Sequence, residues 1–390
     1  MARSASNKNL HGAKKAKNDE FYTQYNDIQK EIGAYLDYDA NVFRGKTVYC
    51  NCDDPFESNF FRYFVLNFDT LKLKRLITTS YKPSPIANTE LVLQPALFPG
   101  YEEKIVSKPD APKGRPKVTA NRFIINEVGD VNGDGEFNLK DIAEQLRANK
   151  HNEWAPLAEN GDFRSEECME LLKQSDIVVT NPPFSLFREY VKQLVDHQKR
   201  FVIIGNMNAI TYKEVFPLIK ENKMWLGATG NGSDMVFAVP AGAEIDERDK
   251  QKAARLGYIG DYTRLGNSCW YTNLDHGRRH RALPLMTMAD NLRFSRHKEI
   301  KGKEAYDRYD NYDAIEVPFT DAIPSDYDGV MGVPISFLDK YSPEQFEIVG
   351  GTANGQVPNE FKIGNFKVHN NPISNGRKIY QRILIRHQKK

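Results

Sequence analysis

A chain of 390 residues, 40% hydrophobic and 27% charged, can bury a large core, and its length suits two domains, one of them catalytic. No apolar run approaches the roughly eighteen residues of a membrane span, and the basic, polar N-terminus lacks the apolar stretch of a secretory signal, so a cytoplasmic protein is expected. Cys50, Cys52, Cys168 and Cys269 show no CxxC spacing and are too few for a disulfide framework or a zinc ribbon, so they read as reduced thiols.

The formal net charge of +2 is unevenly placed. Arg3, Lys8, Lys14, Lys15 and Lys17 precede any acid, and Arg377, Lys378, Arg382, Arg386, Lys389 and Lys390 close the chain without one. Basic ends around an acidic middle suit contact with a polyanion, the alternative being two solvated, disordered tails.

Behind the arm of residues 1–18, the segment DEFYTQY from Asp19 to Tyr25 sets an aromatic pair beside a threonine, a pattern that suits a lid over a small molecule. A helical pattern spans Asp27 to Tyr38. Lys46 to Cys52 reads as a strand ending at Asp53, Asp54 and Pro55, and carboxylates at the carboxyl end of a first parallel strand are placed to hold a ligand's hydroxyl or amino groups. Ser58 is a candidate N-cap for a helix starting at Asn59. Leu73 to Thr79 predicts a second strand. The proline-rich text from Tyr81 to about Asn121 reads as an insertion outside the sheet, continuing to about residue 159.

Within that insertion, Asp130, Asn132, Asp134, Asn138 and Asp141 fall at positions 1, 3, 5, 9 and 12 of a calcium-type loop, with Gly135 at position 6 and Glu136 between. Two readings stand: a structural calcium site, or an acidic turn capping the helical pattern from Leu139 to Ala148. Gly161-Asp162-Phe163 then precedes a helix from Glu166 to Lys173. An Asp-Phe pair there can accept from an adenine amino group and cover its ring; it can equally be a solvated turn with a core phenylalanine.

The segment Ser175 to Arg188, SDIVVTNPPFSLFR, is the centre of the reading. Ile177, Val178 and Val179 predict a buried parallel strand, Asn181-Pro182-Pro183-Phe184 a rigid turn, and a helix begins near Leu186. Two consecutive prolines remove two amide donors, so the turn offers only carbonyl acceptors. The Asn181 side-chain oxygen and the Pro182 carbonyl together suit both hydrogens of an exocyclic amino group, with Phe184 stacked on the ring that carries it. The plain alternative is a strand ending in a proline turn.

Arg200 to Gly205 reads as a further strand, Tyr212 to Lys220 as a helix and Met224 to Gly227 as another strand. Strands alternating with helices from Lys46 to Gly227 argue for an α/β fold with an open, mostly parallel sheet. Beyond Gly230 the text turns β-rich, with Arg278, Arg279 and Arg281 close together and Tyr306, Tyr309 and Tyr312 further on. This interleaving suits phosphate and base contact, or is an ordinary β-rich surface. None of the eight histidines has metal-ligand spacing.

With these segments in order, the chain resembles the EcoRI-type adenine-specific DNA methyltransferases, the modification methylases. The likeness lies in Asp19–Tyr25, in YCNCDDPFESNFFRYF from Tyr49 to Phe64, from Gly161 through Gly227, and in YDNYDAIEV and MGVPISFLDKY between Tyr309 and Tyr341. It covers roughly half the chain. The resemblance implies a Rossmann-like, S-adenosylmethionine-dependent domain over residues 19–230 and a mixed, β-rich target-recognition region over 231–390. It also implies N6-methylation of an adenine flipped out of double-stranded DNA. By position, Phe21, Tyr22 and Thr23 would hold the donor's methionine part, Asp53, Asp54 and Pro55 its amino-acid end, and Asp162 and Phe163 its adenine. Asn181, Pro182, Pro183 and Phe184 would grip the target base. The implied partners are DNA and no membrane, with a cognate restriction endonuclease working alongside a monomeric enzyme without a stable complex. Pro55 to Phe60 departs from the glycine-rich turn usual after the first strand, and residues 81–159 have little counterpart. Three rivals remain: cytosine-N4 methylation, where serine more often replaces Asn181; methylation of a protein glutamine; and a DNA-binding protein with a degenerate donor pocket.

Overall fold

Runs that are buried on both faces decide the sheet. Thr47–Cys50 and Ile177–Thr180 are buried throughout, and Arg75–Thr79 and Arg200–Asn206 are buried except at their ends, as expected of strands covered on both sides. The structure, a computed structural model, describes residues 22–51, 58–80, 120–131, 133, 135, 137–148, 151–229, 234–239, 245–353, 356–364 and 371–388.

In chain order the elements begin with β1 (Tyr22–Thr23), α1 (Tyr25–Tyr38), β2 (Thr47–Cys50), α2 (Asn59–Leu66), β3 (Arg75–Thr79) and β4 (Asn121–Ile125). Then come α3 (Leu139–Ala148), β5 (Glu153–Pro156), α4 (Glu166–Gln174), β6 (Ile177–Thr180), α5 (Phe187–Asp196), β7 (Arg200–Asn206) and α6 (Phe216–Lys220). They continue with β8 (Trp225–Leu226), β9 (Asp234–Ala238), α7 (Glu247–Arg255), β10 (Tyr262–Gly266), β11 (Ser268–Thr272) and α8 (Met288–Phe294). The last strands are β12 (Ile315–Glu316), β13 (Met331–Pro334), β14 (Phe346–Gly351), β15 (Ile373–Ser374), β16 (Arg377–Lys378) and β17 (Arg382–His387).

Two compact units divide the chain: Met1–Ile32, Ala40–Ile204 and Val236–Leu265 make one, and Gly33–Asp39, Gly205–Met235 and Gly266–Lys390 the other. In the first, neighbouring strands run β5-β4-β3-β2-β6-β7. The pairs β2–β3, β2–β6 and β6–β7 are parallel, while β4 and β5 extend the edge antiparallel. Chain order moves from β2 outward to β3 and later, on the other side, through β6 to β7. The ends of β2 and β6 therefore flank the point where strand order reverses, the place where open α/β sheets hold ligands.

Helix faces follow their spacing. Phe187, Tyr190, Val191 and Leu194 make the buried stripe of α5, and Phe60, Phe61, Tyr63, Phe64 and Val65 that of α2. Ser58 caps α2 by accepting from the amides of Phe60 and Phe61 at 3.1 and 3.5 Å, as its sequence position suggested. A separate three-stranded sheet, β1-β9-β10, pairs Tyr22 with Ala238 and Thr23 with Phe237.

Two expectations change. Asn121–Ile125 and Glu153–Pro156, read as lying outside the sheet, supply its two edge strands, with Phe123 opposite Thr78. Of the helix expected from Tyr212 to Lys220, only Phe216–Lys220 is α-helical, because Pro217 can sit only in a helix's first turn; a 3-10 turn at Met207–Thr211 precedes it. The helix expected near Leu186 is found there, starting at Phe187 after a 3-10 turn over Phe184–Leu186.

In the second unit, a four-stranded sheet runs β12-β13-β17-β14, and β11 pairs antiparallel with β8. Tyr309, Tyr312, Ala314, Val349, Val357 and Leu384 form a core beside it. Among the described residues, no helix is long and apolar enough to cross a membrane.

Candidate active site at the carboxyl ends of the parallel strands

β6 delivers Asn181 to the sheet's carboxyl edge, where it is 8% exposed. Pro182 is buried, and Pro183 and Phe184 are half-buried. The Pro183 carbonyl accepts from the Leu186 amide at 3.0 Å, closing the 3-10 turn that leads into α5. Phe187 takes the core position, so Phe184 is left at the turn with part of its ring uncovered.

The neighbouring strand end is tied to this turn. Asn51, the residue after β2, accepts at its main-chain carbonyl from the Thr180 hydroxyl and at its side-chain Oδ1 from the Tyr190 hydroxyl. Tyr190 also meets Phe163 edge to face, ring centroids 5.0 Å apart at 78°. The Phe163 carbonyl accepts from Gln193 Nε2 at 2.9 Å. Through α5, the GDF segment, the NPPF turn and the end of β2 are thus one connected cluster. Asn51, Thr180 and Tyr190 were not singled out in the sequence; Asn51's place just before the two acids was the one available signal.

Asp162 is half-buried, and its carboxylate accepts from the Arg164 main-chain amide, Nε and Nη2 at 2.9, 2.9 and 2.7 Å. Those side-chain hydrogen bonds hold its pKa below the ordinary value against the opposing effect of burial. Asp162 is therefore an anion at neutral pH, paired with Arg164. Phe163 is buried.

On the other side of the cluster, Asn59 at the start of α2 donates from Nδ2 to the Thr23 carbonyl at 2.7 Å. Thr23 is 3% exposed, yet its hydroxyl has no hydrogen-bond partner among the described residues, and neither has the buried hydroxyl of Thr78 on β3. Of these, Thr23 is among the residues the resemblance assigns to the methyl donor, and its unpartnered hydroxyl is compatible with a polar ligand such as S-adenosylmethionine. Tyr22 lies beside Thr23 on β1. Phe21, Asp53, Asp54 and Pro55 lie outside the described residues.

The calcium-type loop is not supported as a metal site. Asp130 accepts from the amides of Gly133 and Gly135 at 2.7 and 2.8 Å, and Asp141 from those of Val131 and Asn138 at 3.1 and 2.8 Å. No group of histidine, cysteine or acidic side chains among the described residues is arranged to hold a metal. Asn132, Asp134 and Glu136 lie outside them. The spacing serves a turn that Asp141 fastens to the first turn of α3.

The basic and aromatic cluster of the second unit is also largely internal. Arg278 donates to the Ala228 carbonyl at 2.8 Å and pairs with Asp339; Arg279 lies over Trp225, 3.9 Å from the ring centroid. Tyr306, Tyr309 and Tyr312 are buried. Of the basic C-terminal residues, Arg382 pairs with Glu316 and Arg386 with Glu347, while Arg377 and Lys378 are exposed, as is Arg281.

A family model described as adenine-specific methyltransferase EcoRI matches residues 9–388. Type II methyltransferase M.EcoRI of Escherichia coli is 42% identical over 391 aligned residues, covering 100% of this chain and 99% of that protein. Type II methyltransferase M.MpnI of Mycoplasma pneumoniae is 32% identical, covering 96% of each chain. M.MgeORF184P of Mycoplasma genitalium is 32% identical, covering 96% of this chain and 98% of the relative. No solved structure matches. A matching profile over nearly every residue, with full-length relatives, places this chain in the EcoRI family of adenine-specific methyltransferases.

Proposed function

We propose that this methyltransferase modifies N6 of an adenine extruded from double-stranded DNA, with S-adenosylmethionine as donor, on a Rossmann-like sheet whose acceptor turn is Asn181–Phe184. The observation that carries the reading is the Thr180 hydroxyl bonded to the Asn51 carbonyl: the turn that suits a base and the strand end that suits the donor are adjacent at the reversal of strand order.

When bound, S-adenosylmethionine supplies an electrophilic methyl group. Tyr22, Thr23 and the acids after Asn51 hold its amino-acid part, and Asp162 and Phe163 its adenine. At the acceptor, Asn181 Oδ1 and the Pro182 carbonyl take the two hydrogens of the target amine. Hydrogen bonds to both hydrogens favour pyramidal nitrogen and raise its lone-pair density, and a fixed site for them needs no reorganisation during reaction. Phe184 stacks on the extruded base, offsetting the few kcal/mol that unstacking costs. The second unit reads the DNA sequence, with Arg281, Arg377 and Lys378 available for phosphate. The enzyme acts as a cytoplasmic monomer alongside a cognate endonuclease.

Modified-base sequencing of duplex DNA exposed to the purified protein and S-adenosylmethionine tests this. N6-methyladenine at one recurring sequence is expected. N4-methylcytosine, or no modification, overturns it.

A further inference from the structure

We propose that the loop between α7 and β10 is a wedge that enters the base stack of duplex DNA, with Ile259 as the inserted side chain and Lys250 and Arg255 holding the backbone phosphates beside it. The wedge presupposes the DNA reaction proposed above and adds a means of opening the duplex for it. The loop belongs to the same compact unit as Asn181.

Ile259 is 84% exposed, whereas the other exposed large hydrophobic residues among those described range from 38% to 59%. A side chain left that far in water gains the fold nothing, yet the backbone is built to present it. α7 ends in a Schellman motif: the Gly257 amide donates to the Ala254 carbonyl at 3.0 Å and the Tyr258 amide to the Ala253 carbonyl at 3.1 Å, with Gly257 at a φ of +92°. Gly260, at a φ of +112°, turns the chain back, and the Asp261 carbonyl accepts from the Val239 amide at 2.9 Å. The rings of Tyr258 and Tyr262 meet with centroids 5.4 Å apart. Ile259 thus stands at the tip of a loop fastened at both ends.

The charge around the tip says what covers it. The acids of α7 sit at its start, where Asp246 caps it, Glu247 and Asp249 fill the first turn, and Asp249 pairs with Lys252 at 2.9 Å. Nearer the tip, Lys250 and Arg255 are exposed and have no ion-pair partner among the described residues, and Asp261 is the one acid between α7 and β10. Ile259 and its neighbour Leu256 offer too little apolar surface for a stable protein interface. They do match a base step, whose apolar faces lie between rows of phosphate. Insertion beside an extruded base replaces part of the stacking that the base gives up.

The test compares full-length wild type with Ile259→Ser on a duplex carrying the sequence the enzyme methylates, and on the same duplex with the target adenine opposite an abasic site, where the base costs least to extrude. By fluorescence anisotropy, Ile259→Ser should bind the intact duplex about tenfold or more weakly and the abasic duplex within about threefold of wild type. Its thermal midpoint should match wild type, since the residue is exposed, and Ile259→Leu should restore binding to the intact duplex. Lys250→Ala with Arg255→Ala should reduce the slope of log affinity against log salt by about two. Wild-type affinity of Ile259→Ser for the intact duplex, or equal loss on both duplexes, overturns the wedge. So does a wild-type dimer in sedimentation that Ile259→Ser converts to monomer, which makes the tip a contact between copies. If wild-type protein methylates no DNA, the reading above fails and takes the wedge with it; an active wild type beside an unaffected Ile259→Ser rejects this loop alone.

Discussion

The hydroxyl of Thr180 donates to the main-chain carbonyl of Asn51, joining the last residue of one parallel strand to the first residue beyond its neighbour. Both residues are buried, so no water stands ready to replace the bond. Thr180→Val keeps the shape and removes the donor. It should lower stability by about 1–3 kcal/mol, the cost of leaving a buried acceptor unsatisfied. Urea unfolding measures it, and a change under about 0.5 kcal/mol would show that the bond is not made.

Asn181→Ala removes the side-chain acceptor from the turn. Methyl transfer should fall about a hundredfold or more, as when one preorganised polar group is lost from a reacting centre. Donor affinity by titration should hold within about threefold, since Asn181 is assigned to the base. Wild-type methylation by this variant removes Asn181 from the acceptor role.

Gly161 has a φ of +75°, and a Cβ there would lie 2.0 Å from the Ser80 carbonyl oxygen and 2.9 Å from the Ala120 Cβ. Gly161→Ala therefore combines a disfavoured backbone with a clash against main chain. A loss of at least about 2 kcal/mol is expected, read as a lower thermal midpoint. The residues displaced first are Asp162 and Phe163, so donor binding should weaken in whatever protein remains folded. An unchanged midpoint would mean the backbone here is not left-handed.

His280 donates to Glu344 at 2.7 Å and to Asp275 at 2.8 Å. Burial pulls the imidazole pKa down, but the two carboxylates outweigh it, and the net shift is upward from 6.5. A folded-state pKa above the unfolded one means the charged ring stabilises the fold fully below pH 6.5, and this contribution fades as pH rises through the folded value. Stability of wild type compared with His280→Gln across pH 5.5–9 should converge at the alkaline end. Parallel curves would exclude the charged pairing.

Arg382 and Glu316, 12% and 8% exposed, form an ion pair to which the Tyr309 hydroxyl adds a further bond. Arg382→Ala leaves a buried carboxylate, at a cost of about 3–5 kcal/mol; removing both charges in Arg382→Met with Glu316→Leu should recover most of it. Chemical denaturation of the two proteins gives the comparison. Equal stability of Arg382→Ala and wild type would return Arg382 to the exposed basic tail.

Much of the site is legible from local text. The double proline forces the turn at Asn181, the unbroken apolar run marks β6 as a covered strand, and Ser58 announces α2. What the text conceals is pairing at a distance. Thr78 and Phe123 face each other across β3 and β4 although proline-rich sequence intervenes, so the edge strands look like an insertion. Tyr190 and Asn51 lie 139 residues apart, and Arg382 and Glu316 lie 66 apart; nothing near either partner predicts the other. The loop at Asp130 misleads for a different reason: carboxylates that fold back on their own amides need the same glycine-rich spacing as carboxylates around a cation.

The adjacency of β2 and β6 has a consequence for how such an enzyme tolerates change. Neighbouring strands keep a spacing of about 4.8 Å whatever lies between them in sequence. In the site proposed above, the gap between donor and target base is set by that ladder. On that proposal the length of the segment between β3 and β6 does not enter the spacing of donor and acceptor.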